Sequence, residues 1–318
     1  RVSPDRCFLT HIRHAVTIPA LSPEPTDTNP GPLDSRIAAW GRNHMDVIVN
    51  ADDLGINPEV NKATFELIDQ GKVTSSTIIA NGPRVEEACE QIGRFPQCSF
   101  GAHLNVTEFH PLISSQNLAP LLNNDGELIM GRVREIAIDS SLAEGIFQEF
   151  CAQIDRLMSL GVRISHLDSH NYVLSISKMF PILKRVQKKY QIRKVRISRN
   201  IYSDGLMSKL GLTAFVLGTD PELGDHDVSK SLRIKKSIYN FGLRHYYRTK
   251  TCDGFSGFRL FYEYAKSRPN SQSMKQRTFE VNVHPRNPYY HAEETEILMG
   301  PWPDDLGFPI RLISYHEL

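Results

Sequence analysis

Six polar side chains recur where apolar runs stop. Asp52 and Asp53 come just after Val47-Ile48-Val49, and His103 ends the segment 98–104. Asp168 and His170 follow 163–167, and His284 follows 279–283. One carboxylate and two neutral imidazoles make a hard-to-borderline donor set that binds a divalent cation and leaves positions open for water. Such an ion polarises an acyl oxygen and lowers the pKa of bound water. A second carboxylate beside the first can take that water's proton, and a histidine on the opposite side can protonate a leaving amine. Amide hydrolysis uses all three roles. Each residue alone also has a plainer reading. Adjacent aspartates cap loops and helices, and His103 in Gly-Ala-His-Leu-Asn could be a satisfied, semi-buried histidine. His166-Leu-Asp-Ser-His170 is a denser signal, and the same habit at four separate strand ends points to one site.

The elements that must position these residues alternate. Strands are expected at 47–49, 73–80, 98–104, 163–167, 194–198, 279–283 and 310–314. A helix is expected from Asn57, which suits an N-cap, through Pro58 at the first helical position to a stop at Gly71. Further helices are expected at 85–92, 142–158 with a stop at Gly161, and 179–190 with Pro181 near its start. Helical patches follow at 206–217 and 258–266, with a basic stretch at 230–250 between them that reads as a solvated helical face. Strand-helix alternation argues for an α/β fold with parallel strands and crossover helices. In a β/α barrel the strand C-termini meet at one face, where four distant segments can deliver ligands to one point.

The totals exclude several alternatives. The chain has 318 residues, ordinary for one α/β barrel, and 40% of them are hydrophobic. Lys plus Arg number 37 against 36 Asp plus Glu, which leaves no electrostatic footprint for nucleic acid. No run approaches the roughly 18 apolar residues of a membrane span, and no basic amphipathic stretch stands out as membrane-binding. The five cysteines are odd in number and none are spaced as CxxC, against a disulfide framework or a thiolate zinc site. Cys89 and Cys151 read as core packing, and this usage fits a cytoplasmic location. Residues 1–45 read as a disordered extension, with prolines at 4, 19, 23, 25, 30 and 32 and no sustained period. That stretch lacks the apolar core of a secretory signal, and Met45 is a candidate true start.

Five ordered motifs carry a family resemblance. They are Val-Asn-Ala-Asp-Asp-Leu-Gly (49–55), Gly-Lys-Val-Thr-Ser-Ser-Thr (71–77), Gly-Ala-His-Leu-Asn-Val-Thr (101–107), His-Leu-Asp-Ser-His (166–170) and Val-His-Pro (283–285). Together they resemble the YdjC-like carbohydrate deacetylases, which include the chito-oligosaccharide deacetylases, across residues 46–318. The resemblance implies a distorted TIM-like (β/α) barrel of the glycoside hydrolase/deacetylase type. It implies a divalent metal ion, magnesium by family habit with zinc also suited to the donors, held by Asp53, His103 and His170. By analogy with the related NodB-like enzymes, Asp52 would be the catalytic base and His284 the candidate acid. Asp168 could support a histidine ligand. Arg196 could orient Asp52 or could form a surface ion pair. The implied reaction removes the N-acetyl group from an N-acetylated sugar or glycoconjugate, and the family's habit implies a homodimer. An ester hydrolase on the same scaffold and a non-catalytic, metal-retaining sugar-binding protein are the competing readings. Many members continue the fourth motif as His-x-His-x-His. Here those later positions are Tyr172 and Leu174, which puts the substrate pocket in question and leaves Tyr172 as a hydrogen-bond donor to a sugar.

Overall fold

Val47, Ile48 and Val49 lie inside a ten-residue strand, β1 (Met45–Leu54), every residue of which is buried. The computed structural model describes residues 44–209, 228–286 and 292–318. After β1 come α1 (Pro58–Asp69), β2 (Ser75–Ile78), α2 (Val85–Ile92), β3 (Ser99–Leu104), α3 (Arg132–Glu135), α4 (Ser140–Ser159), β4 (Leu167–Ser169) and α5 (Met179–Tyr190). Then follow α6 (Leu206–Lys209), α7 (Lys230–His245), β5 (Gly254–Gly257), α8 (Phe258–Ser267), β6 (Thr278–Val283), α9 (Ala292–Met299) and β7 (Ile310–Leu312). Local chemistry sets the ends as expected. The Asn57 side chain accepts from the Val60 amide at 2.8 Å, Pro58 opens α1, and Gly71 turns the chain at φ +69°. Pro181 is the third residue of α5, where its missing N–H costs no helical bond.

The strands form one parallel sheet in the order β4-β3-β2-β1-β6-β5, with β7 also paired to β1. The segment 194–200 joins its two edges. Val195 bridges Leu167 at the start of β4, Lys194 bridges Lys250 ahead of β5, and the Asn200 amide donates to the Phe255 carbonyl at 3.2 Å. The sheet therefore curls into a distorted TIM-like barrel. Two expected strands differ in detail. Residues 194–198 make isolated bridges because they span two separate edges, and 163–167 enter the ladder only at Leu167. Upstream, the Ser165 amide and hydroxyl both donate to the Phe100 carbonyl at 2.8 Å. β5 was not expected at all.

Two apolar clusters divide the interior. The larger fills the layer between the strands and the helices. The smaller, Ile48, Cys252, Ile313 and Tyr315, packs separately, and His166 stacks on Tyr315 at 3.6 Å. Parallel register aligns Ile48 with Glu280 and Asn50 with both Ser75 and Asn282, so the face that carries this small cluster turns polar toward the strand C-termini. Cys89, Cys98, Cys151 and Cys252 are buried free thiols.

The stretch read as a solvated basic face is largely α7, and its outer surface is not simply polar. Ile234, Ile238 and Phe241 are 60%, 67% and 62% exposed, while Lys236, Asn240 and Leu243 are buried. Of the helical patch expected at 206–217, residues beyond 209 lie outside the described residues. So does the expected extension, except His44 and Met45, and Met45 itself opens β1 opposite Ile310. Among the described residues no helix is long and apolar enough to cross a membrane.

Gly101 exposes how tightly the inner layer is filled. A Cβ there would lie 2.5 Å from His166 Cε1. Gly101→Ala should therefore cost about 1–3 kcal/mol through overpacking, measurable as a lower denaturant midpoint at unchanged slope.

Candidate active site

Asp52 and Asp53 are neighbours inside β1, not residues of a loop after it. Successive strand residues face opposite sides, so a regular strand would separate the two carboxylates. The pairing of β1 with β2 shifts register between Ala51 and Leu54, and Asp53 adopts φ +68°. This bulge lets both side chains enter the same polar interior. Both residues are 2% exposed.

Asp53 turns toward two histidines. Its Oδ1 lies 3.3 Å from His103 Nε2, in β3, and 2.9 Å from His170 Nδ1, just past β4. Ligand atoms of the three residues lie within 4.8 Å of one another, close enough for one cation. Each imidazole has a carboxylate on its other nitrogen. Asp168 Oδ1 lies 2.7 Å from His103 Nδ1, and Glu108 Oε2 lies 2.9 Å from His170 Nε2. Such outer contacts fix ring orientation and leave the inner nitrogens for a metal. The Thr77 hydroxyl donates to Asp168 Oδ2 at 2.9 Å.

Asp52 turns the other way. Arg196 grips it from both guanidinium ends, Nη1 to Oδ2 at 2.8 Å and Nη2 to Oδ1 at 2.7 Å. Asn50 and Asn282, aligned on adjacent strands, donate to its two oxygens at 2.8 and 2.9 Å. His284 Nε2 stands 3.7 Å from Asp52 Oδ2. Arg196 is itself 6% exposed, so it is not a surface pair. Its Nη1 also lies 2.8 Å from Asp168, and its Nε donates to Glu280 at 2.7 Å. The Tyr315 hydroxyl donates to the other Glu280 oxygen.

The altered run after His170 folds back beside this centre. Asn171 and Tyr172 both take left-handed backbone, at φ 50° and 52°. Arg134 Nη2 pins their carbonyls at 2.8 and 3.3 Å. The Tyr172 hydroxyl accepts from Asn282 at 3.1 Å, while Leu174 is buried in the core. A narrow pocket of about 20 Å³ opens between Tyr172, Arg196, Arg199, Lys236 and Tyr239.

The structure thus gathers Asp52, Asp53, His103, Asp168, His170, Arg196 and His284, with Tyr172 at their edge. His166, counted among the motif histidines, packs away from them against Tyr315. Asn50, Thr77, Glu108, Glu280 and Asn282 were not singled out from sequence. A period-two reading would have found most of them, since Asn50-x-Asp52 and Glu280-x-Asn282-x-His284 run along single strand faces.

Charge is short on the positive side. Arg196 pairs with Asp52, Asp168 and Glu280, while Asp53 faces His103 and His170. Burial opposes ionisation of Asp52, but Arg196, with help from His103 and His284, holds its carboxyl well below the usual carboxylate range. Burial likewise opposes Asp53, and His170 and His103 outweigh it to hold Asp53 low. Burial, with help from Asp168, pushes Glu280 up to about 7 against Arg196 and Tyr315. Burial should neutralise His103, yet Asp168 and Asp53 drive it up to about 10. His170 rises to about 9 through Asp53 and Glu108, again against burial. His284 is lowered by burial, which outweighs Asp52 and Asp53. Two charged imidazoles and a divalent cation are alternative ways of filling the same charge deficit, so the donor set fits such an ion.

A proton count tests this exchange. At pH 7 the metal-free protein should hold His103 and His170 charged, because both raised values lie above 7. Only neutral imidazole binds a cation, so zinc titrated by calorimetry in buffers of different ionisation enthalpy should release close to two protons. Affinity should fall as pH falls, by up to about a hundredfold per unit below pH 9. Binding without proton release would refute the assignment.

Known proteins bear on this geometry. A model of the YdjC-like protein family matches residues 46–305. The carbohydrate deacetylase of Geobacillus stearothermophilus is 33% identical over 173 residues, which span 50% of this chain and 68% of that protein. The carbohydrate deacetylase of Vibrio campbellii is 32% identical over 149 residues, 46% of this chain and 57% of that one. The aligned segment thus spans between about half and two thirds of these relatives. A crystal structure from Enterococcus faecalis, described as a candidate cellobiose-phosphate cleavage protein, superposes with a TM-score of 0.63 at 21% identity. It covers 86% of this chain and 98% of its own, a likeness of fold. On the family match over most of its length, the chain belongs to the YdjC-like proteins.

Proposed function

We propose that the chain is a metal-dependent hydrolase that removes the acetyl group from an N-acetylated sugar or glycoconjugate. The observation that carries this reading is the division of labour between two adjacent carboxylates, Asp53 toward His103 and His170, Asp52 toward Arg196 and His284. Two carbohydrate deacetylases among the relatives support the substrate class. Asp53, His103 and His170 would hold the cation, magnesium by family habit, with zinc suited to the imidazoles. When bound, the cation supplies Lewis-acid activation of the acyl group and of water.

The remaining chemistry belongs to the chain. Asp52 is fixed by Arg196, Asn50 and Asn282, and it accepts the proton of the attacking water. Arg196 keeps Asp52 ionised and also makes it a weak base, so the proton does not rest there. His284, 3.7 Å away, takes up that proton and passes it to the amine nitrogen as the carbon–nitrogen bond breaks, giving acetate and the free amine. Asp168 and Glu108 orient the two ligand imidazoles. Tyr172, hydrogen-bonded to Asn282 beside Asp52, would meet the sugar.

Acetate release from a panel of N-acetylated and O-acetylated sugars tests the reading. Wild type should release acetate from an N-acetylated member only with a divalent cation. Asp53→Asn should lose cation binding and activity together. Asp52→Asn should keep cation binding and lose about 10²–10⁴-fold in kcat. Release without any cation, or an unimpaired Asp53→Asn, would sink the mechanism. Release from O-acetylated sugars alone would move the chain to ester hydrolysis.

A further inference from the structure

The four most exposed large apolar side chains among the described residues lie together on one surface. Ile234, Ile238 and Phe241 are spaced along one stripe of α7, and Tyr246, 62% exposed, follows its end. His245 stacks on Phe241 at 3.9 Å and widens the stripe. The other exposed apolar residues, Ile129, Met130, Met158 and Met299, are no more than 54% exposed. The segment 229–252 also holds seven Lys or Arg and no Asp or Glu, in a chain of net charge +1. Lys230 and Lys235 of α7 are exposed, as are Arg248 and Lys250 past its end.

The helix is anchored from behind, so the stripe is a fixed ledge. Asn240 accepts from the Ser198 amide and donates to its carbonyl, both at 2.9 Å. The Lys236 ammonium donates to the Ser198 hydroxyl at 3.1 Å. What remains outward is an apolar line with Lys230 ahead of it and Lys235 beside it.

From this juxtaposition we infer that the outer face of α7 docks on an anionic phospholipid surface. Apolar side chains of a basic helix enter the boundary between headgroups and acyl chains, while flanking lysines stay with the headgroups. Acidic lipids supply negative charge spread over an area, which matches cations spread along 229–252 with no acidic residue among them. A second copy of the chain fits poorly. A two-fold contact through this face would bring the cations of one copy toward those of the other, and opposed like charges disfavour association. The candidate pocket lies behind the same helix, where Lys236 and Tyr239 line it.

Vesicle cosedimentation of the full chain tests this. Vesicles of phosphatidylcholine with phosphatidylserine should bind the protein at least about tenfold more tightly than phosphatidylcholine alone, and salt should weaken the binding. The exposed pair Ile238→Asp/Phe241→Asp should melt like wild type and bind about tenfold or more weakly. Lys230→Glu/Lys235→Glu should weaken binding in the same direction. Should the aspartate pair fail to fold, Ile238→Ser/Phe241→Ser gives the same comparison. No binding to the acidic vesicles, equal binding to both vesicle types, or unimpaired variants would overturn the proposal. So would vesicle-free self-association in sedimentation that Phe241→Asp abolishes, which would assign the face to a second copy.

Discussion

One guanidinium carries the charge balance of the interior. Arg196 meets Asp52, Asp168 and Glu280, three buried carboxylates delivered by β1, β4 and β6. Buried carboxylates are costly unless paired, and removing a buried partner typically costs about 3–5 kcal/mol because the other charges stay behind. Much of the architecture serves this one group. The segment 194–200 carries it between the two sheet edges, Phe255 packs its ring 4.8 Å from the guanidinium carbon, and Tyr315 holds the far side of Glu280. The same contacts that hold the curled sheet together therefore orient Asp52.

Much of this was legible in the residues. Apolar runs and caps located β1, α1, α2, α4, α5 and β6, because the strands carry short buried apolar runs and the helices bury one face and expose another. β5 escaped notice since Gly-Phe-Ser-Gly offers one apolar side chain and no period. Segment 194–198 was expected as a strand, yet it bridges two edges and belongs to neither ladder for long. The motif residues gathered as anticipated, but their supports did not announce themselves. Asn50, Glu280 and Asn282 are polar residues inside strands, a pattern that ordinarily signals a solvent-facing side. In this sheet the polar face turns inward, so the usual reading inverts.

The helix α7 was misread for a related reason. Sequence counted its cations, and burial alone reveals which side they occupy. Lys236 points inward to Ser198, whereas Ile234, Ile238 and Phe241 point outward. A basic composition said nothing about that exchange of roles between charged and apolar side chains.

The backbone of Asp53 has a genetic consequence. At φ +68° the position asks for a residue that tolerates left-handed geometry, a preference held by glycine, asparagine and aspartate and resisted by most others. It also asks for a short carboxylate. Among the twenty residues only aspartate answers both demands. Glutamate keeps the charge but loses the local fit, and alanine discards the charge while straining the turn. The bulge thus closes the mutational neighbourhood of this site, and asparagine is the one substitution that isolates the charge from the shape.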